Sequence, residues 1–357
     1  MKILNSKYFL AANSCEGFVS HFTDRYNAYD GWHCFIIKGG PGTGKSSFMK
    51  YIASKAAENN IKAELCPCSS DPHSLDAVVL PDKKIIVLDG TAPHTVDPVY
   101  PGVCEEILNF GEFWNTKVLK PEKNNIIKLT DKNKALHRVA SRYMHALGQI
   151  ISDNLKIAEN ATEKDKITKF ASRLAKKYIP KKPGTGSEEI RFLCGITPKG
   201  IISFSDSALS LASNRIIIED RFGTVASEIM KNIRKYALSN GYNIITVKNA
   251  FMPSSLTDHI IIPELSLCFL REYEYQHFNT DCRRIHARRF MNNAVIAKNR
   301  ERLKFNKKII RELELSATAV LSEAKKVHDE LEENYINSMD FDALTMFANS
   351  FCEDIFR

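Results

Sequence analysis

The chain has 357 residues, of which 44% are hydrophobic and 26% charged, with a formal net charge of +8. That is the make-up of an ordinary globular chain with room for about two domains. No apolar run approaches the ~20 residues of a membrane span and residues 1–10 lack the long apolar core of a secretory signal, so a cytoplasmic protein with no membrane partner is expected.

In chain order, the first strong pattern is a β-prone stretch at 33–37, followed by Gly39-Gly40-Pro41-Gly42-Thr43-Gly44-Lys45-Ser46 and then by 45–59, where Phe48, Ile52 and Ala56 recur at helical spacing. The run fits the phosphate-loop pattern G-x-x-x-x-G-K-[ST] in its required strand, loop and helix setting. Glycines let successive backbone N–H groups turn toward one anion at the positive end of the following helix. The expected ligands are therefore ATP and Mg²⁺. Gly39 to Ser46 and Ser47 would line the phosphates, Lys45 would reach the β- and γ-phosphates, and Ser46 would ligate the metal.

A short strand at 63–66 opens into the loop Cys68-Ser69-Ser70-Asp71-Pro72-His73-Ser74-Leu75-Asp76. The Cys66-Pro67-Cys68 pair is too tight for a zinc knuckle, and nine cysteines without regular spacing read as free thiols of a reducing compartment. Residues 85–89 form an apolar strand ending in Asp89, the natural second holder of Mg²⁺. Many ATP hydrolases place a glutamate after this aspartate, but here Gly90 follows, so the base comes from elsewhere or the acceptor is not water. Asp71 and His94, the latter in Thr91-Ala92-Pro93-His94, are the further catalytic candidates, with a plain turn residue the alternative for His94.

The chain then repeats itself. An offset of 181 sets Gly42-Thr43 on Gly223-Thr224 and Phe35-Ile36-Ile37 on Ile216-Ile217-Ile218, and Pro72-x-Ser74-Leu75 on Pro253-x-Ser255-Leu256. In the second copy Asp220, Arg221, Val225 and Ala226 replace Gly39, Gly40, Gly44 and Lys45, and Arg271 replaces Asp89, so its phosphate chemistry is expected to be lost. Asp76 keeps a counterpart in Asp258 and reads as structural, whereas Asp71 becomes Met252 and reads as catalytic. Each half ends in long helical seams. Leu136, Val139, Tyr143, Ala146 and Ile150 form one, and Ile310, Leu313, Ala317, Val320, Ala324, Val327 and Leu331 the other. They are expected to pack on each other, on their own domains, or on a protein partner or second copy. A further helix at 162–178 leads into the break Pro180-Lys181-Lys182-Pro183-Gly184.

The densest basic cluster, Asp281-Cys282-Arg283-Arg284-Ile285-His286-Ala287-Arg288-Arg289, reads as a solvated helix, an inter-domain charge contact, an arginine for the γ-phosphate, or a polyanion face. Matching Cys282 to Cys104 sets Arg283 and Arg284 against Glu105 and Glu106. With the net charge, the cluster points only weakly to nucleic acid.

Phe9-Leu10-Ala11-Ala12-Asn13-Ser14 with Gly17-Phe18, the Gly39 to Ser46 loop, Cys68-Ser69-Ser70-Asp71 and Leu88-Asp89-Gly90-Thr91-Ala92-Pro93-His94 together resemble a family of uncharacterised bacterial ATPases with two tandem phosphate-loop domains. In that family both halves can carry an intact loop, and this chain departs by losing the second. The resemblance and the residues lead to an α/β chain of two tandem phosphate-loop NTPase-like, three-layer domains. An active domain is expected at 1–180, a linker at 181–189 and a degenerate repeat at 190–357. The expected function is Mg²⁺-dependent ATP hydrolysis coupled to conformational change. The alternatives are a kinase acting on a small molecule and a nucleotide-gated adaptor for a protein or nucleic acid.

Overall fold

The computed structural model describes residues 6–93 and 95–357. The first half runs β1 (Ser6–Lys7), β2 (Ala11–Ser14), β3 (Gly17–Ser20), β4 (His33–Lys38), α1 (Lys45–Glu58), β5 (Glu64–Pro67), β6 (Leu75–Leu80), β7 (Ile85–Asp89) and β8 (Glu105–Asn109). The short α2 (Thr116–Leu119) precedes the long α3 (Lys123–Ala161) and α4 (Lys164–Tyr178). The second half follows with β9 (Glu188–Arg191), β10 (Cys194–Thr197), β11 (Gly200–Ser203), α5 (Ser205–Leu211), β12 (Asn214–Glu219), α6 (Thr224–Ser239), β13 (Ile244–Lys248), β14 (Thr257–Ile262), β15 (Leu267–Glu272) and β16 (Arg283–His286). It closes with α7 (Asn293–Lys298), the long α8 (Arg300–Ile336) and α9 (Phe341–Phe356). The chain is thus α/β, with mixed sheets and long helices. No helix among the described residues is long and apolar enough to cross a membrane.

Two six-stranded sheets repeat one order. The first runs β1-β5-β6-β7-β4-β8 and the second β9-β13-β14-β15-β12-β16, with β6 and β14 the strands antiparallel to both neighbours. Strands β6 and β14 are buried almost throughout, apolar toward their carboxyl ends at 77–80 and 260–262 but carrying the buried Asp76 and the buried Asp258 and His259 near their starts. Register pins the comparison: Ile37 stands beside Asp89 in one sheet and Ile218 beside Arg271 in the other, so these two positions correspond. The same registers set Phe35 beside Glu106 and Ile216 beside Arg283. Arg283 therefore corresponds to Glu106, one residue off the pairing drawn through the cysteines. A slip of one would turn every side chain to the opposite face of the sheet. The basic cluster is also not one helix, since Arg283 to His286 form the edge strand β16 and Ala287–Phe290 a single 3-10 turn.

The compact units are not contiguous halves. Unit 1 comprises Met1–Ala11, Ser20–Ala140 and Thr318–Arg357, and unit 2 comprises Ala12–Val19 and Ser141–Ala317. Residues 141–180 thus belong with the second sheet and 318–357 with the first, and the 181–189 stretch ends in β9, an edge strand of unit 2 rather than a free linker. In unit 1, α9 packs on α1, with Phe48 and Phe351 ring centroids 5.2 Å apart in a core shared with Met49, Ile52 and Leu344. In unit 2, α4 packs on α6, where Ile167, Ala171 and Leu174 meet Ile229, Met230 and Ile233. An amphipathic stripe fixes that a helix must be covered, not which helix covers it.

The long seams meet each other. In unit 1, Leu129 and Leu136 of α3 pack with Val327 and Leu331 of α8, and Asn133 Nδ2 donates to the Ala324 carbonyl at 2.8 Å. In unit 2, Asn306 of α8 bonds Asp153 and Asn154 of α3 at 2.7 and 2.9 Å. Of the expected first seam, Leu136 is packed in this way, whereas Val139 and Ala146 are exposed.

Candidate functional site

Six residues, 39–44, connect β4 to α1. Within this loop Gly42 has φ +69°, and a Cβ there would lie 2.7 Å from the Glu332 carbonyl oxygen, so both conformation and space demand glycine. Thr43 is buried and turns its hydroxyl back onto the Gly40 carbonyl at 2.9 Å, holding the loop closed. Pro41 is half-buried, and Ser47 lies exposed in the first turn of α1.

Lys45 Nζ donates to the Gly40 and Gly39 carbonyls at 2.6 and 3.3 Å and lies 3.5 Å from Asp89 Oδ2. Asp89 is oriented by its neighbour: Oδ1 accepts from Thr91 N at 3.0 Å and from Thr91 Oγ1 at 2.6 Å. Parallel pairing of β4 and β7 brings these groups together at the carboxyl ends of both strands. Lys38, at the end of β4, ties down the segment beyond Asp89 by donating to the Gly90 and Val96 carbonyls and to Asp97. Gly90 cannot be anything larger, because a Cβ there would lie 2.3 Å from Ile36 Cγ2.

Ser46 Oγ accepts the Leu75 N–H at 3.0 Å, which joins the start of α1 to the Asp71 turn. In that turn Asp71 accepts from His73 N at 3.1 Å and Ser74 Oγ at 2.9 Å, and Lys325 Nζ stands 3.4 Å from its Oδ2. Burial alone would raise the Asp71 carboxyl, but the Ser74 and His73 bonds and the Lys325 charge outweigh it and hold the acid below its usual range. Cys68 lies beside this turn with its thiol pushed up by burial. His94 lies outside the described residues.

The sequence offered no sign of the wall formed by the end of α8. One face of it carries Lys325, His328, Glu332 and Tyr335, at helical spacing. Glu332 Oε1 accepts the Gly42 N–H at 3.2 Å and lies 3.8 Å from His328 Nδ1, and the Tyr335 ring would touch a Cβ on Gly40 at 3.1 Å. His328, Asp329 and Glu332 also bring one ligand atom each within 4.8 Å of one another, though on an exposed stretch.

The corresponding place in unit 2 is filled by the protein itself. Only four residues, 220–223, join β12 to α6, because Thr224 and Val225 are wound into the helix. Asp220 is buried, and its carboxylate accepts Phe222 N at 3.1 Å and Ala226 N at 2.9 Å, the amides an anion would need. Arg271 inserts its guanidinium against Gly223, donating to the Asp220 and Arg221 carbonyls and to Asp258 at 2.9, 3.1 and 2.7 Å. Ser227 nevertheless keeps the role of Ser46, accepting the N–H that opens β14 at 3.0 Å.

Within unit 2, Arg284 pairs with Glu219 and Glu272 at 3.1 and 3.0 Å, Arg283 donates to the Tyr178 hydroxyl at 3.3 Å, and Arg289 lies over the Phe170 ring. In unit 1, Glu105 accepts from Tyr26 and from Val99 and Tyr100 N–H, and Glu106 pairs with His33. The nine cysteines are all free. Compared with family models, with curated proteins and with solved structures, the chain matches none.

Proposed function

We propose that the two units are an active and a retired phosphate-loop NTPase fold, and that unit 1 binds ATP with Mg²⁺ at residues 39–47 and hydrolyses it. The observation that carries the reading is the convergence of Lys45, Ser46 and Asp89 on one glycine loop, with Lys45 and Asp89 3.5 Å apart. The Lys45 ammonium and the amides of a glycine loop at the start of α1 are the groups that would attract an oxyanion, and the Asp89 carboxylate beside them is the group that would hold a cation. Mg²⁺ fits the oxygens present: Ser46 Oγ has a lone pair beyond the one given to Leu75, and Thr91 fixes Asp89 by one oxygen only. Bound there, the ion would neutralise charge on the β- and γ-phosphates. Lys45 would draw the γ-phosphoryl charge, the loop amides would hold the β-phosphate, and Asp71 beside Ser46 would face an incoming acceptor.

Gly90 supports a second reading. No glutamate can stand after Asp89, so transfer to a bound small molecule rather than to water is the alternative. Purified protein should release phosphate from ATP without an added acceptor, and Lys45→Ala should abolish turnover and weaken ATP binding more than ADP binding. Turnover unchanged in Lys45→Ala would reject the site. Acceptor-dependent ADP formation would select the kinase.

A further inference from the structure

We infer that Glu332 is a built-in competitor for the phosphate site: its carboxylate occupies the Gly42 N–H while the loop is empty, and ATP must displace it together with the end of α8. The inference rests on the reading of residues 39–47 as a nucleotide site.

Three observations carry it. Glu332 Oε1 lies 3.2 Å from the Gly42 N–H, and its backbone carbonyl oxygen lies only 2.7 Å from where a Gly42 Cβ would be, so the helix end sits directly on the loop. A carboxylate is drawn to this amide by the same positive potential that would draw a phosphate.

Unit 2 shows what a carboxylate does at such a loop. Asp220 takes the amides of Phe222 and Ala226 there, fully buried and locked by Arg271. Glu332 differs in being about one-third exposed, with a single bond to the loop, so its occupancy is reversible where that of Asp220 is permanent.

The third observation is internal. The contacts that dock the end of α3 in unit 2 recur for α8 in unit 1 at a constant step: Thr162 with Met291 becomes Met339 with Trp114, and Asn292 N on Ala161 becomes Asn115 N on Ser338. That step of 177 residues sets Gly148, Ile151 and Leu155 against Lys325, His328 and Glu332. The polar face thus occurs with the intact loop, and small or apolar residues replace it beside the retired one. A solvated helix face has no reason to follow the state of a loop.

Displacing Glu332 would also lift Tyr335, whose ring stands 5.7 Å from that of Trp114. Nucleotide entry is thereby tied to release of residues 332–340.

The test compares ATP binding by titration calorimetry in the full-length wild type, Glu332→Gln, Glu332→Ala and Lys45→Ala. Removing the competing anion should tighten ATP about three- to tenfold, the scale of one partly exposed charge-assisted bond. In the wild type, ATP should raise hydrogen exchange across residues 332–340. Two Glu332 variants that bind within twofold of wild type, while Lys45→Ala loses ATP, would refute the competitor and leave the nucleotide site standing. A Glu332→Gln protein with unchanged affinity and lost turnover would make Glu332 a catalytic carboxylate and refute the competitor equally. ATP binding unaffected by Lys45→Ala would remove the nucleotide site and the inference with it.

Discussion

Asp89 and Arg271 hold corresponding places in two like sheets, and replacing each by alanine should have opposite consequences. Arg271 is buried, donates to Asp258 Oδ1 at 2.7 Å and to two backbone carbonyls, and lies 4.0 Å from the Tyr273 ring centroid. Its loss would strand Asp258, itself 1% exposed, with Asn249 and Tyr273 as its remaining partners. Breaking a buried pair from one side costs about 3–5 kcal/mol. Arg271→Ala should therefore lower the stability of unit 2 by about that much, read by urea-dependent hydrogen exchange of β14 and β15, with ATP turnover retained under native conditions. Asp89 is partly exposed, and its bonds are local, to Thr91. Asp89→Ala should cost at most about 1 kcal/mol while turnover falls on the order of 100-fold or more as metal charge is lost at the phosphates. A stable Arg271→Ala protein, shifted by less than about 1 kcal/mol, would show that the guanidinium is not what holds the retired loop together.

Further outcomes follow from the same geometry. Equilibrium dialysis should find one ATP per chain, and Ala226→Lys should not add a second, because Asp220 and Arg271 already fill the place; two per chain in the wild type would overturn the retired reading. Burial drives the His259 imidazole from the ordinary 6.5 down to about 4, with Asp258 and Gln276 opposing and the Arg271 charge adding to the fall. Between those values the unfolded chain takes up a proton that the folded chain refuses, so stability is complete above about pH 6.5 and declines toward pH 4 by roughly 3 kcal/mol; urea midpoints at pH 7 and 5 check it, and His259→Gln should flatten the slope.

Much of the candidate site is written locally and could be read. The strand at 33–37, the loop at 39–46, the helix from Lys45 and the strand ending at Asp89 each follow from short-range pattern, and the sheet brings them together because parallel neighbours present their carboxyl ends to one edge. Glu332, His328 and Lys325 were illegible for the opposite reason. On α8 they sit at ordinary helical spacing among other charges, and nothing nearby in sequence says that this turn lies on a loop roughly 290 residues earlier. Which unit each long helix joins was illegible on the same ground: apolar stripes on α4 and α9 announce that they are covered, not that α6 covers the one and α1 the other. In the basic cluster charge density favoured the solvated-helix reading for residues 283–286, whereas alternation of Ile285 inward with Arg284 and His286 outward marks an edge strand.

Each compact unit is drawn from both halves of the sequence. Unit 1 draws its loop from the first half of the sequence and the helix face against that loop from the last forty residues, 318–357. Unit 2 draws its loop from the second half and its capping helix α4 from the first. On the proposed reading of the two units as copies of one fold, each site would draw on both copies, so a change in one copy's loop and a change in the other copy's helix would act on the same place. In unit 2 the places of Lys45 and Asp89 are taken by Ala226 and by Arg271, the latter in a buried ion pair with Asp258. The retained set, Lys45 and Asp89 with Lys325, His328 and Glu332, is its counterpart. On this argument a restored second site needs changes in both halves at once, and no single substitution in α6 or β15 can supply it.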